Sequence, residues 1–138
     1  MKTAKEFLEQ YREATRRAKR LEEEYRAELE LIDSIRSPLG GDGLPHGNGI
    51  NRSTEDKAIR LAEKARRYKE AQAEAMEIRQ TVFDFINSIK GIEGAVLTER
   101  YINLRKWEDV AEVLSYSVPG IHNVHQRALL IVEERLNK

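Results

Sequence analysis

The sequence of 138 residues contains no cysteine. This excludes a disulfide framework and a thiolate metal site, and it favours an intracellular protein. No apolar run is long enough to span a bilayer, and the first residues are too charged for the apolar centre of a signal peptide. We therefore expect a cytoplasmic protein that has no membrane partner.

An excess of charge of one sign is also missing. Lys and Arg together number 24, as do Asp and Glu, so the formal net charge is zero. No block of like charge is present that would serve as a polyanion-binding tail. Aromatic residues make up 7% of the chain and charged residues 35%. This composition predicts an all-α protein of elongated helices with narrow apolar stripes rather than one large core.

Glycine and proline divide the chain into residues 1–36, 37–53, 54–90 and 91–138. The first part is a predicted helix in which Thr3 and Glu6 form a capping box and Ser37-Pro38 ends the helix. Its length is about 50 Å at the usual rise of 1.5 Å per residue. Apolar residues recur in steps of four and three, as in a coiled coil, and Glu28 stands where another is expected. They are Phe7, Tyr11, Ala14, Ala18, Leu21, Tyr25, Ile32 and Ile35.

Residues 37–53 are predicted to be a flexible loop rich in glycine and proline. Its glycines raise the alternative of a phosphate-binding loop. However, no glycine-lysine-serine or glycine-lysine-threonine follows, and no strand precedes it. We therefore interpret the segment as a mobile connector and His46 as a solvated loop residue.

A second long helix is predicted from a cap at Ser53 or Thr54, with Glu55 and Asp56 in its first turn, to Lys90-Gly91. Its apolar positions again follow steps of three and four, apart from one skipped turn. They are Ala58, Leu61, Ala65, Tyr68, Ala75, Ile78, Val82, Phe85 and Ile89.

Two helices of similar length joined by one loop most simply form a long antiparallel coiled-coil hairpin. Such a hairpin leaves apolar edges in water, so we expect a homodimer formed through it. The alternative is a monomer in which the C-terminal domain covers the seam.

Residues Ile92 to Leu104 predict a short supporting helix that contains Val96, Leu97, Tyr101 and Leu104. Tyr101 has two interpretations, a core aromatic or a residue near a phosphate, and core packing is favoured for an aromatic at helical spacing. Trp107 is interpreted in the same way as a buried anchor.

The segment from Trp107 to Leu130 has the pattern of a helix-turn-helix. Trp107 to Leu114 is the first helix, in which Ala111 is small enough for a second helix to cross closely. A turn over Ser115, Tyr116 and Ser117 follows. Ser117 is placed to cap the second helix, and Pro119 is tolerated in its first turn.

The second helix, from Ser117 to about Leu136, has one apolar and one polar face. Its spacing turns Ile121, Val124 and Ala128 inward. Five residues then remain as candidates to meet solvent or a major groove. They are His122, Asn123, His125, Gln126 and Arg127.

The stretch LTERYINLRKWEDVAEVLSYSVPGIHNVHQRALLIVEERL resembles the region 4 helix-turn-helix of bacterial sigma factors. With its charged helical hairpin and Ser37-Pro38-Leu39, the whole chain is similar to small proteins of Gram-positive phages and prophages. Some of these are late-gene transcriptional regulators of the autolysin-regulator type. The resemblance implies a DNA-binding transcription regulator. The chain departs from the pattern after the turn serine, where Val118-Pro119-Gly120 replaces basic or polar residues.

This resemblance and the helix pattern together suggest roles for the candidate residues. His122, Asn123 and Gln126 would face base edges, and Arg127, Arg105 and Lys106 would meet phosphates.

From Leu97 onward, six basic residues balance six acidic ones. We therefore expect modest affinity for free double-stranded DNA. A second subunit or RNA polymerase would strengthen binding by tethering.

The sequence leaves two alternatives to DNA binding. Catalysis is disfavoured: His122 and His125 have metal-compatible spacing, but Glu133 and Glu134 lie too far along the helix, and no nucleophile set is evident. We expect no enzyme activity, metal or cofactor. The second is a coiled-coil interaction module whose helix-turn-helix is structural or binds protein, which the charge balance favours.

Overall fold

The computed structural model describes residues 2–39 and 48–138, with side chains at 2–33 and 53–138. Every regular element in these ranges is a helix, which confirms the all-α prediction at that level. The central part of the predicted loop, with His46, lies outside the described residues, as does the side chain of Ile35. The elements are α1 (Ala4–Leu39), α2 (Asn48–Asn87), α3 (Ile92–Leu97), a π-helical segment (Thr98–Ile102), α4 (Trp107–Leu114) and α5 (Val118–Leu136).

Helix α1 begins where the sequence predicts and ends later. The backbone N–H of Glu6 donates to Thr3 Oγ1 at 3.2 Å, so Thr3 caps the helix. The prediction that Ser37-Pro38 ends the helix is wrong, because α1 continues to Leu39. A proline removes one backbone hydrogen bond and crowds the preceding turn. In the last turn of a 36-residue helix, that disturbance affects little of the element.

Both predicted ends of the second helix are also wrong. Helix α2 begins at Asn48 rather than at Ser53 or Thr54, and it ends at Asn87 rather than at Lys90-Gly91. Extending an existing helix fixes one residue for each new hydrogen bond, whereas starting one is costly. The glycine and asparagine of its first turns are therefore tolerated despite their poor helix propensity.

The chain divides into two compact units, and the unit boundaries fall within α1 and α2. In the unit Thr15–Ala73, the Tyr68 hydroxyl donates to Glu22 Oε2 at 2.6 Å. The rings of Tyr25 and Tyr68 stack with their centroids 6.2 Å apart. Glu28 interrupts the apolar spacing of α1, yet it is only 8% exposed. Its carboxylate lies 3.4 Å from Lys64 Nζ and 3.9 Å from a guanidinium nitrogen of Arg60.

The other unit consists of Met1–Ala14 and Glu74–Lys138. It holds two apolar clusters, the larger of which includes Leu8, Ile86 and Tyr101, each at most 1% exposed. The smaller cluster lies beneath α4 and α5 and consists of Val96, Val110, Ala111, Ile121 and Val124, with Ile92, Trp107, Leu114 and Val118 packed against it.

Several core positions differ from the predicted apolar spacing. Ala4, Leu8, Ala71 and Ile86 are buried although the spacing did not include them. Ala71 occupies the turn that the second pattern skips, whereas Ala58, a predicted apolar position, is exposed. A helix packed on more than one side buries a stripe wider than a two-residue coiled-coil seam.

Two glycines set the start of α3. Gly91 has a φ of 85°, a left-handed conformation that side chains rarely adopt. A Cβ on Gly94 would overlap the backbone carbonyl of Ile89. The predicted helix over Ile92 to Leu104 is present as two consecutive elements, α3 and the π-helical segment. Leu104 lies after them and has a φ of 55°.

We expect Gly94→Ala to lower the free energy of unfolding by about 3 kcal/mol, because a backbone carbonyl cannot move aside as a side chain can. Urea denaturation measures the loss. Gly120→Ala is the matched control, because a Cβ there meets a side-chain atom, Ser117 Oγ at 3.0 Å, rather than the backbone. Alanine also has a higher helix propensity than glycine, so we expect a smaller loss of stability from this variant. Equal stability of the two variants would contradict the close approach at Gly94.

Candidate nucleic-acid interface

Helix α4 is short because both of its ends are determined locally. Its first turn carries Glu108 and Asp109, which favour the positive end of a helix. Ser115 ends it in a left-handed conformation with a φ of 60°. Ala111 is 4% exposed, and its burial agrees with the requirement for a small residue at this position.

Ser117 caps α5 as the sequence predicts. Its Oγ accepts a hydrogen bond of 3.1 Å from the backbone N–H of Gly120. The departure Val118-Pro119-Gly120 is the first turn of α5. Val118 packs against the smaller cluster, and Pro119 occupies a position where no amide hydrogen is needed. Val118 and Pro119 therefore have structural reasons for their identity.

The faces of α5 largely follow the predicted spacing. Ile121, Val124 and Ala128 are buried, at 2% exposure or less. Four of the five candidate reading residues are exposed, and together they are called the polar face of α5. The polar face consists of His122, Asn123, Gln126 and Arg127.

The fifth candidate, His125, was assigned to the wrong face. It is only 7% exposed, and its Nε2 lies 2.6 Å from the hydroxyl oxygen of Tyr101. His125 follows Ile121 by four residues and precedes Ala128 by three, which places it on the apolar side of the helix. That spacing is the signal the prediction missed. Tyr101 is 1% exposed, so its interpretation as a core aromatic is confirmed.

The pKa values of the buried residues His125 and Tyr101 are both shifted. Burial, followed by the charges of His122, Arg100 and Lys5, lowers the pKa of His125 to about 4. Burial raises the pKa of Tyr101 to about 12. Both side chains are therefore neutral near pH 7, where one hydrogen bond satisfies a polar atom of each.

Trp107 is the centre of an aromatic cluster beside this pair. The Arg100 guanidinium lies 4.5 Å from its ring centroid, as expected for a cation–π contact. The rings of His122 and His125 lie 4.8 and 4.6 Å from it. Burial and the nearby Arg12 lower the pKa of Arg100. Trp107 is half-buried rather than buried as predicted, although it packs against the smaller cluster, and one polar-face residue, His122, rests against it.

The predicted phosphate-binding residues have different surroundings. Arg105 Nε donates to Glu99 Oε2 at 2.6 Å, and Arg127 Nε lies 3.5 Å from Glu93 Oε1. Lys106 is exposed directly before α4, where its backbone carbonyl accepts from the amide of Val110. The polar face and Lys106 are therefore accessible, and both Arg105 and Arg127 already have a carboxylate partner.

Among the described side chains, no three His, Asp or Glu residues come together as a metal site would require. No helix within residues 2–39 and 48–138 combines the length and apolar character needed to cross a bilayer.

The comparisons with known proteins add no relative. No family model, curated protein or solved structure matches the chain significantly.

We expect His125 to make the stability of the fold sensitive to acid. Its pKa is near 6.5 in the unfolded chain and about 4 in the folded one, so the unfolded state binds the proton first. Stability is then retained above pH 6.5 and falls as the pH drops toward 4. Between pH 7.5 and 5 the loss is about 2 kcal/mol.

Urea denaturation at the two pH values measures this effect. His125→Gln should lose most of that pH dependence, whereas the control His122→Gln should lose only the part that the charge of His122 contributes. Identical pH dependence in wild type and His125→Gln would show that His125 is not the group responsible.

Proposed function

We propose that this chain is a DNA-binding transcription regulator of the phage or prophage type, which contacts double-stranded DNA with α5. The observation that carries the proposal is the polar face of α5. Two carboxamides, Asn123 and Gln126, are exposed on the first turns of a helix whose opposite face is anchored in a core. Carboxamides pair with adenine in the major groove, and recognition helices present their N-terminal residues to base edges.

The proposed contacts divide into two kinds. Asn123, Gln126 and His122 read base edges, and Arg127, Arg105 and Lys106 contact phosphates. Ser117 acts indirectly, since its hydrogen bond to the Gly120 amide fixes the first turn of α5. The packing of His122 on Trp107 limits the positions its ring can take.

The long helices are proposed to supply the oligomer. Within the unit Thr15–Ala73, Tyr68 of α2 bonds to Glu22 of α1, whereas Lys64, earlier in α2, meets Glu28, later in α1. This opposite order supports an antiparallel coiled-coil hairpin. We propose that two hairpins form a homodimer, since a lone helix pair exposes apolar side chains such as Leu31 and Ile59.

The paired arginines and the balanced charge suggest weak binding to DNA by one domain alone. A second subunit, or host RNA polymerase in the bacterial cytoplasm, would raise the local concentration of the domain on DNA without new contacts.

The second candidate is a coiled-coil interaction module whose helix-turn-helix is structural or binds protein. The exposed side of α4 favours it. Glu108, Asp109 and Glu112 are exposed there beside Val113, which is 49% exposed, and Tyr116 of the turn, which is 43% exposed. An acidic surface with apolar residues suits a basic protein segment and repels phosphates.

The experiment is fluorescence anisotropy with a pool of genomic duplexes across a salt series, after the mass has been determined by light scattering. We expect Arg127→Ala to weaken binding to every duplex and to flatten the salt dependence, because it removes a phosphate contact. Asn123→Ala should instead change which duplexes are preferred, because it removes a base contact.

The matched control is Glu134→Ala on the same helix, which should preserve the preference among duplexes. Equal losses from Arg127→Ala and Asn123→Ala on all duplexes would contradict the division of roles. If the folded wild-type protein binds no duplex at any salt concentration, the interaction module becomes the better account.

A further inference from the structure

The one cation on the polar face of α5 is not free to attract an anion. Arg127 Nε lies 3.5 Å from Glu93 Oε1, and the arginine side chain is 55% exposed while that of the glutamate is 22% exposed. The pair joins α5 to the first turn of α3. Its carboxylate therefore lies at the edge of the surface that would meet DNA.

We infer that Glu93 restrains Arg127 and so limits the affinity of this surface for DNA. This inference rests on the proposed function and assigns a regulatory role to a residue outside the polar face. Glu93 acts through Arg127, because its carboxylate offsets part of the charge of the guanidinium before any phosphate arrives.

The physical basis is counterion release. A cation that neutralises a phosphate releases bound salt ions from DNA, and each such contact steepens the salt dependence by about 0.9. An arginine beside a protein carboxylate brings less net charge to the phosphate than an unpaired arginine does. It therefore contributes less to affinity and to salt dependence than an unpaired arginine while that carboxylate remains charged.

The position of Glu93 is determined by the backbone rather than by the ion pair. Gly91 adopts a left-handed conformation, and Gly94 lies against the Ile89 carbonyl, so the turn that carries Glu93 has little freedom. Since α3 packs on α5, the carboxylate stays beside Arg127 when the surface is empty.

A second pair repeats the arrangement. Arg105 Nε donates to Glu99 Oε2 at 2.6 Å, and the other oxygen of Glu99 accepts from Asn103 at 3.0 Å. Both arginines assigned to phosphates therefore have carboxylates from the same continuous stretch, α3 and the π-helical segment.

The test is anisotropy titration of a fluorescent random-sequence duplex across a salt series. Glu93→Gln should raise affinity about tenfold at about 50 mM salt and steepen the logarithmic salt dependence by up to about 0.9. In an Arg127→Ala background, Glu93→Gln should not steepen it. Glu134→Gln is the matched control for net charge, because no described side chain pairs with this exposed carboxylate.

The outcomes separate the two proposals. If the wild type binds DNA and Glu93→Gln behaves as Glu134→Gln does, the restraint is wrong and DNA binding stands. If neither the wild type nor Glu93→Gln binds at the lowest salt, the proposed function fails and the restraint fails with it. Circular dichroism checks folding, and Glu99→Gln repeats the test at the second pair should Glu93→Gln not fold.

Discussion

The buried hydrogen bond between Tyr101 and His125 is the interaction on which the arrangement of the C-terminal helices depends. It joins the π-helical segment to α5 over 2.6 Å, in a region where an unpaired polar atom would be costly. His125 faces inward together with Ile121, Val124 and Ala128, so the polar face of α5 is turned outward. The polar face therefore lies opposite a buried side that consists of three apolar residues and one neutral imidazole.

Three arginines near that hydrogen bond each lie against an aromatic ring or a carboxylate. Arg100 covers Trp107, Arg105 is held by Glu99, and Arg127 is held by Glu93. The polar face of α5 and the residues beside it therefore offer hydrogen-bonding groups without strong net charge. If this surface meets DNA as proposed, it attracts the duplex weakly, since long-range attraction to DNA comes mainly from unpaired cations.

The sequence predicts those features that depend on neighbouring residues. The Ser117 cap and the burial of Ile121 and Val124 follow from local spacing, and the structure agrees with both. His125 was misplaced because its polarity was weighed above its spacing. The partners of Glu28, the π-helical segment and the Glu93–Arg127 pair were not predictable, since each depends on contacts between residues far apart in the sequence or on backbone geometry without a sequence pattern.

Site-specific photocrosslinking tests most directly whether α5 is the surface that meets DNA. A photoreactive amino acid would replace Gln126 on the polar face of α5 in one variant and Val113 on the exposed side of α4 in another. The account predicts an adduct with duplex DNA from position 126 and none from position 113. A DNA adduct from position 113 alone, or adducts only with protein from position 126, would contradict it.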